Sequence, residues 1–394
     1  MIRRIFVGSA MLAVSSSLAQ RAVVERSGSG KISINLSGFR TGNDSSSRTF
    51  LSVLKADLNR SGYFTVKSSG AEYNVAGKAV AGRQLQTQVQ VFKVSTRQRA
   101  LGKNYNAPVK STRSLAHKVA DEITYALTGK RGMASGKIAV VYRKGKIKEL
   151  VVCDMDGKNP KQVTRDRSIV VGPRWTPDGK NITYTSYKRG YPYVYMTGKS
   201  KPLASYGGLN ASGAVSPNGK YLAVILSVSG NAELWVKDLR SGKMVRRLSN
   251  TRRGIEASPC WSPDGNHIAY VSDSSGRPHI YVISWRGGTP KRISTSGTEN
   301  VAPNWGKNGY LTWCSRSGGK YRIMVGSPKN RSVRQLETDW ADYEDPCWAP
   351  DGRHIVCSRT SNYRSAIYLL DTLKDSPVAL LAGSGDWYSP ACSP

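Results

Sequence analysis

No stretch of this 394-residue chain carries a recognised catalytic or nucleotide-binding signature. The Gly-x-Ser-x-Gly elbow of serine hydrolases, the His-Glu-x-x-His metal helix and the Gly-x-x-x-x-Gly-Lys-Ser/Thr phosphate loop are all missing. Histidine occurs four times, too few and too scattered to complete a zinc site with the cysteines. The six cysteines, at 153, 260, 314, 347, 357 and 392, form no Cys-x-x-Cys pair. Neither a metal nor an organic cofactor is therefore expected, and the absences argue against an enzyme. Acidic side chains are also few, 26 against 59 Lys and Arg, which leaves a formal charge of +33. No apolar run is long enough to span a bilayer, and the best candidate is the short run 5–14.

That run sits in a recognisable order. Arg3 and Arg4 precede it and Ser17-Leu18-Ala19 follows as a small-residue cleavage site, so residues 1–19 read as a signal peptide. Cleavage would leave Gln20 first and export the chain; a retained N-terminal anchor is the alternative. The basic excess is spread along the chain, +2 over 1–19, +12 over 20–130 and +19 over 131–394. A discrete arm or stripe would suggest nucleic acid, but a dispersed excess on an exported protein does not. Anionic lipid, an anionic envelope polymer or an acidic partner surface fits better, with plain solubility as the competing explanation.

What the chain does have is a repeat. The phrase Pro-x-Trp-x-Pro-Asp-Gly starts at Pro173, Pro259 and Pro346, with weaker copies at Gly213 and Pro303 and a broken one at Pro390. The starts are separated by 40, 46, 44, 43 and 44 residues, the length of one four-stranded propeller blade. In the copy at Pro259 the strands are expected over 259–262, 267–271, 279–283 and 290–294, rich in Ile, Val and Tyr and separated by Gly, Asp and Ser. Proline presets the turn, Asp can accept a nearby backbone N–H, and glycine takes the positive φ. Asp178, Asp264 and Asp351 are thus read as turn residues, and Trp175, Trp261, Trp305 and Trp348 as wedges between blades. The first copy begins without its inner strand, at Lys137, and the last stops at Pro394. The fold expected for 134–394 is an all-β six-bladed propeller closed by strands from both ends.

Residues 20–133 follow a different grammar and predict an α+β domain. A strand is expected over 32–36 and a helix over 49–60, with Leu51, Leu54 and Leu58 at helical spacing. Leu85, Thr87, Val89 and Val91 alternate as a half-buried strand, and a second helix from Ser111 ends at Gly129. Cys314 and Cys357 share a repeat position inside apolar strands and read as core residues, although export also permits a bridge such as Cys347 with Cys357. His267 and His354 follow the turn and are expected to be exposed. Asp154-Met155-Asp156-Gly157 lacks the later ligands of a calcium loop and is read as a turn.

The arrangement resembles the TolB family, the periplasmic propeller proteins of the Tol–Pal system. The likeness rests on Leu54-Lys55-Ala56-Asp57-Leu58-Asn59-Arg60-Ser61-Gly62-Tyr63-Phe64, on Ala120-Asp121-Glu122-Ile123 with Leu127-Thr128-Gly129, on the six blades, and on the ending Pro-Ala-Cys-Ser-Pro. It implies a non-enzymatic, monomeric adaptor that docks a Pal-type lipoprotein, supports outer-membrane integrity and engages inner-membrane Tol proteins such as TolA through its N-terminal segment. That segment, 20–31, is short and basic here, with Ala22-Val23-Val24 its only apolar run. Loops leading into each inner strand converge around a propeller axis, so the docking candidates are Asn210, Arg252, Arg253, Glu256, Glu299, Asn300, Tyr343, Glu344, Trp387 and Tyr388. The competing functions are a propeller that binds an anionic glycan or other ligand, and a hydrolase-associated propeller, which would need an α/β-hydrolase domain.

Overall fold

The computed structural model describes residues 30–394 except 331, 337, 374, 375 and 384. The expected signal peptide and the apolar run at 22–24 lie outside these residues. Helix α1 spans Ser45–Arg60. It begins four residues before the expected start at Thr49, because Asp44 caps it by accepting the Ser47 N–H at 2.7 Å. Helix α2 spans Thr112–Thr128 and stops at Gly129, whose φ of +67° suits the left-handed cap. Both pack on a mixed sheet ordered Phe64–Val66, Ile32–Asn35, Tyr73–Ala81, Gln84–Lys93, Arg99–Pro108, with Phe39–Thr41 beside Tyr73–Ala81. Phe50, Leu54 and Leu58 of α1, Leu115, Val119 and Ile123 of α2, and Val75, Leu85, Val89 and Val91 of the sheet share one buried core.

Six further sheets follow as blades. Their inner strands are Val170–Trp175, Asn210–Val215, Glu256–Trp261, Asn300–Trp305, Asp342–Trp348 and Asp386–Cys392, which number blades 1 to 6. The inner strand of blade 6 pairs antiparallel with Lys137–Lys144, so residues from the end and the start of the propeller share one sheet. Blade 1 has three strands, its outermost reduced to a bridge between Val194 and Ala204.

The inner strands begin about three residues earlier than the sequence suggested, for a shared reason. Each carries a bulge, at Gly172, Ser212, Ser258, Ala302, Asp345 and Ser389, with φ between +46° and +61°. The extra residue bends the strand, a device alternation rules do not reveal. The Asp-Gly turns behave as expected. Asp264 Oδ1 accepts the Asn266 N–H at 3.0 Å and the Ser262 hydroxyl, and these bonds hold its carboxyl down at about 2. The indole N–H groups of Trp175 and Trp261 each donate to an inner-strand carbonyl of the preceding blade, Ala391 and Ala214, both at 2.9 Å.

Candidate functional site: an axial cavity and a free loop face

Antiparallel pairing sorts the connections to two ends of the ring. The Asp-Gly turns and the turns between third and fourth strands gather on one face, here the turn face. The connections between second and third strands, and those leading into the next inner strand, form the loop face.

The α/β layer contacts the turn face. Arg353, just after the blade 5 turn, donates from Nη2 to the Gly62 carbonyl at 3.1 Å and lies 4.5 Å from the Tyr63 ring. Arg131 donates to the Pro394 carbonyl at 3.1 Å. The turn Asp154-Met155-Asp156-Gly157 is indeed a turn, but α2 also clasps it: Arg113 pairs with Asp156, and His117 reaches Asp154. His354 departs from expectation. It is buried, with Nδ1 2.6 Å from Asp351 Oδ2, because the strand after the turn faces this seam rather than solvent. His267, in blade 3, is exposed.

A cavity of about 430 Å³ lies on the axis, lined by Trp175, Trp305 and Trp348, by prolines of the turns and by Arg174, Lys307 and Asp345. Its lining runs from the bulges to the turn face. Arg174 crosses the axis from blade 1 and donates to the Pro303 carbonyl of the opposite blade 4 at 3.4 Å. Burial pushes the Asp345 carboxyl up, against a hydrogen bond from Ser389 at 2.7 Å and the positive charge of Arg174.

None of the ten residues proposed from the sequence lines this cavity; they cluster toward the loop face. Asn210, Glu256, Asn300 and Tyr343 are buried there and clip their own loops. The Asn210 side chain exchanges two hydrogen bonds with the Tyr206 backbone, both 2.8 Å, and the Tyr343 hydroxyl donates to Asp339 at 2.9 Å. Glu299, Glu344, Trp387 and Tyr388 are half-buried. Tyr388 sits 5.6 Å from the Arg143 guanidinium and 5.5 Å from the Lys148 ammonium, and Trp387 packs on Tyr142 with ring centres 4.5 Å apart. Burial, then Asp345, Asp342 and Glu299, raise the Glu344 carboxyl to about 7. Arg252 and Arg253 alone of the ten are exposed.

Three loop-face aromatics escaped the sequence reading: Tyr363 is 97% exposed, Trp340 71% and Tyr191 65%. A signal for Trp340 was available. It stands outside the repeat register that gives the other motif tryptophans their structural role.

The match to known proteins covers both the repeat and the architecture. The TolB beta propeller domain model matches residues 125–394. The chain belongs to the TolB propeller family. The Tol-Pal system protein TolB of Desulfosudis oleivorans is 33% identical over 186 residues, 46% of this chain and 42% of that protein. TolB of Bordetella pertussis is 30% identical over 269 residues, 62% of this chain and 61% of that protein. The chain thus spans about two fifths to three fifths of the length of these curated relatives. The crystal structure of TolB from Acinetobacter baumannii superposes with a TM-score of 0.83 at 27% identity, covering 93% of this chain and 97% of that one. This TolB propeller therefore shares with that structure both the blades and the layer before them.

Proposed function

We propose that this protein is a non-enzymatic periplasmic adaptor of a Tol–Pal-type system, docking a Pal-type lipoprotein on the loop face and so supporting outer-membrane integrity. The observation that carries the reading is the asymmetry of the two faces. The α/β layer packs on the turn face, whereas the loop face displays Trp340, Tyr363 and Tyr191 together with Arg252 and Arg253. Exposed aromatics beside arginine are the side chains that anchor protein interfaces, and the +33 charge favours an acidic partner surface. Relatives named as Tol–Pal system proteins support the same assignment. Engagement of TolA by the N-terminal segment belongs to this proposal as well.

The test is a titration of the soluble domain of the Pal-type lipoprotein from the same organism, at two salt concentrations. Replacing Arg252, Arg253, Trp340 and Tyr363 together with Ala weakens binding at least about thirty-fold, the equivalent of one lost hot spot of ~2 kcal/mol, with melting unchanged. Unchanged affinity in the folded variant overturns the docking face. A second reading, an anionic glycan in the axial cavity, is favoured by Arg174 and Lys307 in its lining. In that case Arg174→Ala, not the loop-face variant, abolishes capture of the glycan.

A further inference from the structure

The sulfur atoms of Cys347 and Cys392 lie 3.0 Å apart, Cys347 on the inner strand of blade 5 and Cys392 on that of blade 6. A disulfide needs about 2.03–2.05 Å, so a shift of about 1 Å would bond them. Cys392 occupies the repeat position held by Trp175, Trp261, Trp305 and Trp348. At Trp175 and Trp261 the indole N–H ties one inner strand to the previous blade. Cysteine cannot make that bond, and between blades 5 and 6 the two sulfurs meet instead, amid a cluster with Ile138, Val140 and Val356. Three of the remaining cysteines are engaged elsewhere: Cys153, Cys314 and Cys357 direct their thiols at the carbonyls of Ile138, Val301 and Tyr368. The bridge between Cys347 and Cys357 considered from the sequence is therefore not the one the packing prepares.

We infer that Cys347 and Cys392 form a disulfide in the exported protein, stapling the ring-closing strand to blade 5. The inference rests on the periplasmic location proposed above. Both residues line the axial cavity, through which a small disulfide donor reaches the half-buried Cys392. Burial raises the Cys392 thiol pKa, so its proton leaves as the sulfur attacks the donor, forming a mixed disulfide and releasing one thiol. The Cys347 thiolate then displaces the second donor thiol. Two cysteine protons and two electrons thus pass to the donor, which leaves as two thiols. The bond links residues 45 apart in sequence and ties down the strand that joins the last residues to the sheet begun at Lys137. Cross-links of long loops constrain the unfolded chain most.

The experiment isolates the full chain from the cell envelope, blocks free thiols, and maps tryptic peptides without reductant. One linked peptide pair containing Cys347 and Cys392, with four alkylatable thiols after unfolding, is expected. Reductant then lowers the melting midpoint by about 5 °C or more, and has no effect on the Cys347→Ala, Cys392→Ala double variant. Six free thiols in envelope protein, or a different pairing, overturns the staple. Recovery of the chain in the cytoplasmic fraction overturns the export reading instead. A parallel arm then judges the geometry alone: reduced, purified chain exposed to oxidised glutathione forms the same single bond, and failure to do so sinks the inference.

Discussion

His117 of α2 places Nε2 3.7 Å from the Asp154 carboxylate of blade 6, while its Nδ1 lies 2.5 Å from Asp57 of α1. One imidazole thus joins both helices to the propeller. Burial would lower its pKa, but the carboxylate charges of Asp154 and Asp57, the latter hydrogen-bonded to Nδ1, outweigh it and raise it from 6.5 to about 9. Burial likewise opposes ionisation of Asp154, and the nearby His117 cation with bonds from Lys137 and Asn159 holds it well below its ordinary 3.8. A raised histidine contributes fully below 6.5 and loses its contribution as pH rises through about 9; a depressed carboxylate contributes above 3.8 and fails in acid. The seam is therefore strongest between these values. His117→Asn is expected to cost about 3 kcal/mol at pH 6, since it strips a partner from buried charges, and to flatten the alkaline limb. Urea melts at pH 6 and pH 9 check it; a variant with the wild-type pH profile would contradict the assignment.

Arg353 makes the second fastening. Its guanidinium pairs with Asp371, bonds the Gly62 carbonyl and covers Tyr63. Arg353→Ala leaves the buried Asp371 carboxylate without its main partner, at a cost of about 3 kcal/mol, whereas Arg353→Lys recovers part of it. Hydrogen exchange is expected to rise first along the end of α1, near Gly62. Exchange confined to blade 5 would show that the residue serves the propeller alone.

Glu256 lies near the Glu233 carboxyl beneath the loop that carries Arg252 and Arg253. Burial first, and the Glu233 charge next, raise it from 4.5 to about 7. Its contribution to stability is complete below 4.5 and is lost as pH climbs through about 7. Glu344 titrates over the same range, so Glu256→Gln removes only part of that slope. Melting midpoints from pH 4 to 8 would record it. A slope identical to that of the unaltered chain would place the titration elsewhere.

Trp261 and Trp305 share a repeat position but not a bond. The Trp261 indole crosses to Ala214 of the preceding blade, whereas that of Trp305 returns to Gly309 in its own turn at 3.2 Å. Trp261→Phe therefore leaves an inter-blade carbonyl unpaired and costs about 1–2 kcal/mol more than Trp305→Phe. Chemical denaturation of the two variants provides the comparison, and equal losses would mean that ring volume, not the N–H, closes the wedges.

The blade number, the Asp-Gly turns, both helices and the sharing of a sheet by distant residues were legible in the chain, because each depends on local chemistry repeated in register. Proline, Asp and Gly act within a few residues, and an apolar period needs only its own helix to be seen. The bulges were not legible: Ser212, Ala302 and Asp345 adopt positive φ without the glycine that would announce it, and the extra residue shows only in the strand pairing.

The candidate site divides along the same line. Sequence by itself placed ten residues on converging loops, and Arg252 and Arg253 do stand exposed there. Tertiary structure decided that Asn210, Glu256, Asn300 and Tyr343 turn inward to satisfy their loops, that His354 is buried at a seam, and that Cys347 meets Cys392 rather than Cys357. Spacing along a chain specifies how many strands there are and which way the backbone runs. Which side chains face solvent, a partner carbonyl or another sulfur depends on neighbours brought from distant sequence, and those neighbours exist only once the ring is closed.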